Sequence, residues 1–173
     1  MATTTAGEAP LGLAEHACLA LVGQGVDHGW AIGGLLAPGG ELGRIWSLSR
    51  PLTYRALDQL VDKGLVTRTS TASGRGRERQ LLVPTRTGRH RSRHWLDEPV
   101  AHLRDVRTEL LLKLALRRRA GQELEPLLRA QSEAFAPIID ELSGVRDPDL
   151  VDRWRREHAR AVSRFLRATL DEA

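Results

Sequence analysis

Only one stretch of this chain changes its hydrophobic repeat from helical to strand-like, and it constrains the fold more than any other. Residues 65–70 and 79–83 are short Val-, Thr- and Leu-containing runs that flank a polar segment, 71–78. Two such runs across a polar connection form a β-hairpin, here with a long basic tip. A two-stranded hairpin is marginal in water by itself, so it must lie against the helices that the rest of the sequence encodes.

Three helices precede it. Leu11, Ala14, Cys18, Leu21 and Val22 repeat at three and four residues, with Glu15 and His16 on the other side, and the pattern stops at Gly23-Gln24-Gly25. Asp27 is placed as N-cap of a short second helix through Trp30, Ile32, Leu35 and Leu36, closed by Pro38-Gly39-Gly40. Gly33 and Gly34 within it each carry a propensity cost of about 1 kcal/mol, which points to close packing against a neighbour. An extended Ile45-Trp46-Ser47-Leu48 leads to Ser49, the N-cap of a third helix with Pro51 in its first turn. That helix turns Leu57, Leu60 and Val61 inward and Arg50, Tyr54 and Arg55 outward, and ends at Gly64 as a left-handed C-cap. After the hairpin, Thr85 caps a helix that passes Trp95 and ends at about Glu98, before Pro99.

The remaining chain is helical. Residues 105–119 are apolar nearly all round and close on Arg117-Arg118-Arg119, where cations suit a helix C-terminus. A long helix with Leu124, Leu127, Leu128, Phe135 and Leu142 is interrupted by Pro137, which should kink it; Asp147-Pro148 opens the last one, with Leu150, Trp154, Phe165 and Leu166. The fold class expected is mainly α with a small β-hairpin wing: a winged helix-turn-helix over residues 9–97, preceded by a flexible tail (1–8) and followed by a helical C-terminal dimerisation domain (98–173). The two apolar stripes of that last domain are too rich in large side chains to be left in water, and a second copy of the chain is the simplest partner.

Charge adds an independent observation. The net charge of +4 over 173 residues conceals −4 on residues 1–43, +9 on 44–95 and −1 on 96–173. A positive charge concentrated in some fifty residues is the footprint of a polyanion site, and here it coincides with the third helix and the hairpin. In a winged helix the third helix enters the major groove and the wing reaches the backbone or minor groove. Arg44, Arg50 and Arg55 then fall on or near the recognition helix, and Arg75, Arg77 and Arg79 on the wing, so double-stranded DNA is the expected partner. No apolar run approaches the roughly 20 residues of a membrane span. The single cysteine excludes an internal disulfide, and with no secretory leader pattern at the N-terminus it points to a cytoplasmic, nucleoid-associated protein.

The residues also resemble a known family, the PadR-like transcriptional regulators. The similarity is carried by His28-Gly29-Trp30 at the start of the second helix, Trp46 and Ser49 before the third, and Tyr54, Leu57 and Leu60 within it. It continues through Gly64-Leu65-Val66, Thr85 with Gly88, Trp95-Leu96 and residues 107–114. The chain departs from the family pattern in having Pro51-Leu52-Thr53 before the tyrosine, Arg55 after it, and Leu82 where a strand tyrosine is usual. The resemblance implies a homodimeric repressor that senses small aromatic molecules between its DNA-binding and dimer domains.

The candidate DNA-binding residues are Ser49, Arg50, Thr53, Tyr54, Arg55, Arg75 and Arg77. Tyr54 is expected, by the resemblance, to donate its hydroxyl to a phosphate, with half-buried packing as its other reading. Arg50 and Arg55 either reach guanine edges bidentately or hold phosphates. Trp95, Phe135, Trp154 and Phe165, with Trp30 beside them, are the candidates for an effector pocket, against ordinary core packing. The series His90, His94, Glu98, His102 has the spacing of ligands on one helical face, but Pro99 interrupts it and arginines crowd it, so no metal is expected. Cys18 reads as a core residue, and Asp147, Asp149 and Asp152 as helix caps. With no nucleophile or phosphate loop, neither an enzyme nor a cofactor is expected. The competing readings are a MarR-like regulator, which shares the winged helix, and a protein-binding adaptor, for which arginine on both helix and wing would have no use.

Overall fold

The computed structural model describes residues 10–71, 79–144 and 146–172. The tail expected over 1–8 and the hairpin tip lie outside them. The chain divides into two compact units, residues 1–96 and 97–173.

The first unit is built on α1 (Leu13–Gly23), in which every side chain from Ala17 to Val22 is buried. Glu15, expected on the solvent side, is buried as well. Its carboxylate accepts the Gly12 N–H at 2.8 Å and pairs with Lys63 at the end of the third helix. The companion residue His16 stacks on Trp95, ring centroids 4.7 Å apart. α1 is therefore enclosed on several sides, which its own periodicity did not reveal because a carboxylate with two partners can be buried.

α2 (Gly29–Leu36) begins one residue later than expected, with His28 at the N-cap position. Asp27 is instead drawn into the hairpin, its carbonyl accepting the Leu82 N–H at 2.9 Å. Of the two interior glycines, Gly33 is buried with the Arg50 side chain 3.5 Å from where a Cβ would stand, whereas Gly34 faces open space, so close packing explains only the first. The connection that follows folds back on the end of α2. The N–H groups of Leu42 and Gly43 bond the Leu35 carbonyl and that of Leu48 bonds Leu36, satisfying carbonyls that the helix leaves free. A Cβ at Gly43 would lie 1.6 Å from the Ala37 oxygen. Ile45 and Trp46 belong to this turn, both bonded to the Leu42 carbonyl, and not to the extended run that their β-branched and aromatic character predicts.

α3 (Arg50–Asp62) buries Thr53, Ala56, Leu57 and Leu60 and ends at Gly64, whose φ of +66° is the left-handed cap expected there. The antiparallel hairpin β1 (Val66–Thr71) and β2 (Arg79–Pro84) pairs Val66 with Pro84 and Thr71 with Arg79. Thr85 then fastens three elements. Its hydroxyl reaches the Gly64 and Leu65 carbonyls and accepts the Gly88 N–H at 3.0 Å, opening α4 (Arg86–Asp97). Gly88 must be small, since a Cβ there would meet the Leu65 oxygen at 2.0 Å.

In the second unit, residues 103–119 form three successive windings where one helix is expected over 105–119: a 3₁₀ turn (Leu103–Asp105), a π turn (Val106–Leu110) and α5 (Leu111–Arg119). Leu103, Val106 and Leu110 keep the three-and-four spacing of an ordinary helix through these turns, so the pattern gives no sign of a widened one. α6 (Glu125–Ser143) continues through Pro137, and α7 (Leu150–Asp171) is capped by Asp149, whose side chain accepts the Asp152 N–H at 2.8 Å. The cap expected at Asp147 is thus displaced by two residues, with Pro148 before it. The core joins Val106, Leu110, Leu127, Leu128, Phe135, Val162 and Leu166.

Three polar side chains in this unit secure its first residues. Arg117 pairs with Asp97, the buried Lys113 ammonium donates to the Glu98 carbonyl (2.8 Å) and meets Glu109 (2.9 Å), and Gln131 both donates to and accepts from the Val100 backbone. Burying a lysine is tolerated only with such partners. Among the described residues no helix is long and apolar enough to cross a membrane.

Candidate nucleic-acid interface

The first turns of α3 carry five of the seven candidates. Ser49, Arg50, Tyr54 and Arg55 are exposed, Tyr54 by 46%. Thr53 is not among them. It is fully buried, with its hydroxyl donating to the Ser49 carbonyl at 3.1 Å, because its place in the helix turns it inward with Ala56 and Leu57. Ser49 makes no side-chain cap bond to the helix. Arg44, in the turn before α3, is exposed too.

The seating of α3 against α2 fixes this face. Gly29 and Gly33, four residues apart on α2, receive Tyr54 and Arg50, four residues apart on α3. A Cβ at Gly29 would stand 2.8 Å from the Tyr54 ring, and at Gly33 3.5 Å from Arg50 Cγ. Residues at i and i+4 share a helix face, so the two helices interlock at two successive turns. Beyond Gly33 the Arg50 guanidinium lies over the Trp30 indole, 5.5 Å from its centroid. Trp30 itself is 65% exposed.

The hairpin adds a third wall. Trp30, Tyr54, Leu57, Arg68, Gln80 and Leu82 border an open groove of about 670 Å³ between α2, α3 and the strands. Arg68 on β1 pairs with Asp58 on α3, tying the wing to the helix. Arg75 and Arg77 lie outside the described residues. Trp30 and Arg68 were not read from the sequence as parts of this surface; the matched four-residue spacings of Gly29/Gly33 and Arg50/Tyr54 were the available signal.

The effector-pocket candidates do not line one cavity within either unit. Trp95 is buried in the first unit against His16. In the second, Phe135 is fully enclosed in the core and Phe165 is half-buried against it, while Trp154 is 70% exposed at the edge of a groove of about 400 Å³ with His102, Ile138 and His158. Among the described residues no three His, Cys, Asp or Glu side chains are grouped to hold a metal. Cys18 is buried, and burial, reinforced by the nearby Glu15 charge, pushes its thiol up to about 12, which keeps it protonated and unreactive.

No protein-family model matches the chain. It is similar to the negative transcriptional regulator PadR of Bacillus subtilis, 26% identical over 131 residues that make up 75% of this chain and 71% of that protein. Among solved structures it matches one described as Bacillus subtilis PadR in complex with operator DNA, at 22% identity and a TM-score of 0.48, covering 93% of this chain and 99% of that one.

Proposed function

We propose that this PadR-like chain is a DNA-binding transcriptional regulator, acting as a homodimeric repressor that a small planar effector releases. The observation that carries the reading is the outer face of α3, where Arg50, Tyr54 and Arg55 stand exposed beside a paired hairpin, in the segment of the chain that holds its excess positive charge. A recognition helix presents its N-terminal residues to base edges, and these residues belong to the first two turns of α3. Similarity to a negative transcriptional regulator supports repression over activation.

Dimerisation is supported by what α7 leaves in water. Leu150, Val151 and Trp154 are exposed by 83, 61 and 70%, an apolar cluster within five residues, and large exposed apolar patches mark association sites. The stripes of α6 and α7 otherwise largely bury one another: Leu128, expected to face the partner, is fully enclosed in its own unit. The groove beside Trp154 is the place for a planar effector, which would act by binding one dimer arrangement better than the other.

The test is a binding titration on duplexes from upstream of the protein's own coding region, against random duplexes of equal length, at several salt concentrations. The expected result is tighter binding to one duplex, with affinity falling steeply with salt as phosphate contacts release counterions. Absence of binding to every duplex at low salt would overturn the reading and favour a protein-binding adaptor.

A further inference from the structure

Arg50 opens α3 and is exposed, and its side chain lies along α2. Its Cγ rests 3.5 Å from the Cβ position of Gly33, and its guanidinium lies over Trp30. Among the described residues no hydrogen bond or ion pair engages that guanidinium, so its N–H groups are available. An aromatic ring attracts a cation through its π-face and uses none of the cation's donors. A long arginine side chain gives up rotamer freedom when its fork is fixed in a two-point contact. A side chain already held by a ring has less to surrender.

Trp30 is otherwise hard to account for. An indole left 65% exposed on the second residue of α2 contributes little to the core. Besides edging the groove, its ring carries the Arg50 guanidinium. We propose that Trp30 is a positioning residue that presets the Arg50 guanidinium for bidentate reading of one guanine, whose O6 and N7 are the paired acceptors that a planar fork matches. The inference rests on the DNA-binding reading above and deepens it: Arg50 takes the base-reading role, and that role depends on a residue of another helix.

The experiment uses the full chain. A duplex enriched from a randomised library by the unaltered protein is titrated together with copies carrying each single base-pair change and with a random duplex, for Trp30→Ala, Trp30→Phe, Arg50→Ala and the Trp30→Ala/Arg50→Ala double variant. Thermal unfolding of Trp30→Ala, expected to match the unaltered protein, verifies that the fold is kept. The expected result is that Trp30→Ala loses about tenfold or more of the preference for guanine at one position, weakens binding to the enriched duplex more than to the random one, and adds nothing once Arg50 is removed. Trp30→Phe, which retains a π-face, should restore most of the preference. Equal weakening on every duplex, or effects of Trp30→Ala and Arg50→Ala that simply add, would overturn the proposal while leaving the DNA-binding reading in place. A protein that enriches no sequence and binds no duplex would overturn both.

Discussion

The first turns of α3 and of α7 both stand in solvent, and they leave different chemistry there. On α3 the exposed residues are Arg50, Pro51, Leu52, Tyr54 and Arg55; on α7 they are Leu150, Val151, Arg153, Trp154 and Arg155, so cations recur on both and the large apolar side chains are concentrated on α7. Each helix buries its other side against its own unit. The difference lies in what accompanies the cations: a tyrosine hydroxyl on α3 fits the proposed contact with a polyanion, whereas three large apolar side chains on α7 fit the proposed contact with another protein surface. Trp30 and Trp154 make the same contrast with a single residue type. The first lies beneath a guanidinium, and the second is stacked with His158 beside a groove of mixed polar and apolar lining.

The largest effect should come from the α7 side. Val151→Ser with Trp154→Ser removes exposed side chains, so the fold should be kept and the melting temperature should fall only by the association that is lost, while sedimentation shows a monomer. Operator affinity should then fall by about 10²–10⁴, the gain ordinarily provided by linking two binding modules. A dimer that persists would remove α7 as the association face. On the α3 side, Arg55→Ala should leave the dimer intact and reduce operator binding by about 1–3 kcal/mol if it reads a base, or lower the salt slope by about 1 if it holds a phosphate. Titration at two or more salt concentrations separates the two roles.

Alkaline pH should divide the two units from within, since Cys18 belongs only to the first. Its thiol is raised in the fold from 9.0 to about 12. The unfolded chain therefore releases that proton first; the contribution to stability is complete below about pH 9 and is lost as pH climbs toward 12, by about 1.4 kcal/mol per pH unit. Chemical denaturation at pH 8 and 10 should show this loss, and Cys18→Ala should abolish it. The smallest effect is expected of Thr53→Val, which keeps the buried volume and removes a hydroxyl that bonds only within the helix. Stability should change by about 1 kcal/mol or less, with DNA affinity unaltered. A loss of DNA affinity as large as that of Arg55→Ala would return Thr53 to the interface.

Much of this architecture could be read in advance, for identifiable reasons. Gly64 and Thr85 were legible because cap chemistry is local, and the hairpin because alternation at two differs from a period of 3.6. Glu15, Thr53 and Lys113 were misplaced or passed over because periodicity reports a residue's polarity and not whether a partner awaits it inside. The windings of residues 103–110 escaped because Leu103, Val106 and Leu110 keep a spacing that an unbroken α-helix would also show. Among the four aromatic pocket candidates, composition could not distinguish an enclosed Phe135 from an open Trp154, since the same side chain serves core and surface. Arg50, Tyr54 and Arg55 were found on the exposed face because their charge or hydroxyl and their helical position agree.

Gly29 and Gly33 of α2 set a limit on how such a protein can change its target. They let the Tyr54 and Arg50 side chains of α3 lie directly on α2, and a larger residue at 29 would push Tyr54 aside before it retuned anything. The scaffold behaves as a tool-holder with a fixed jaw. A lineage built on it would acquire new operator preferences by exchanging the bits held at positions 50, 54 and 55, together with the indole at 30 that steadies the first of them, and the aim of the holder would stay the same throughout.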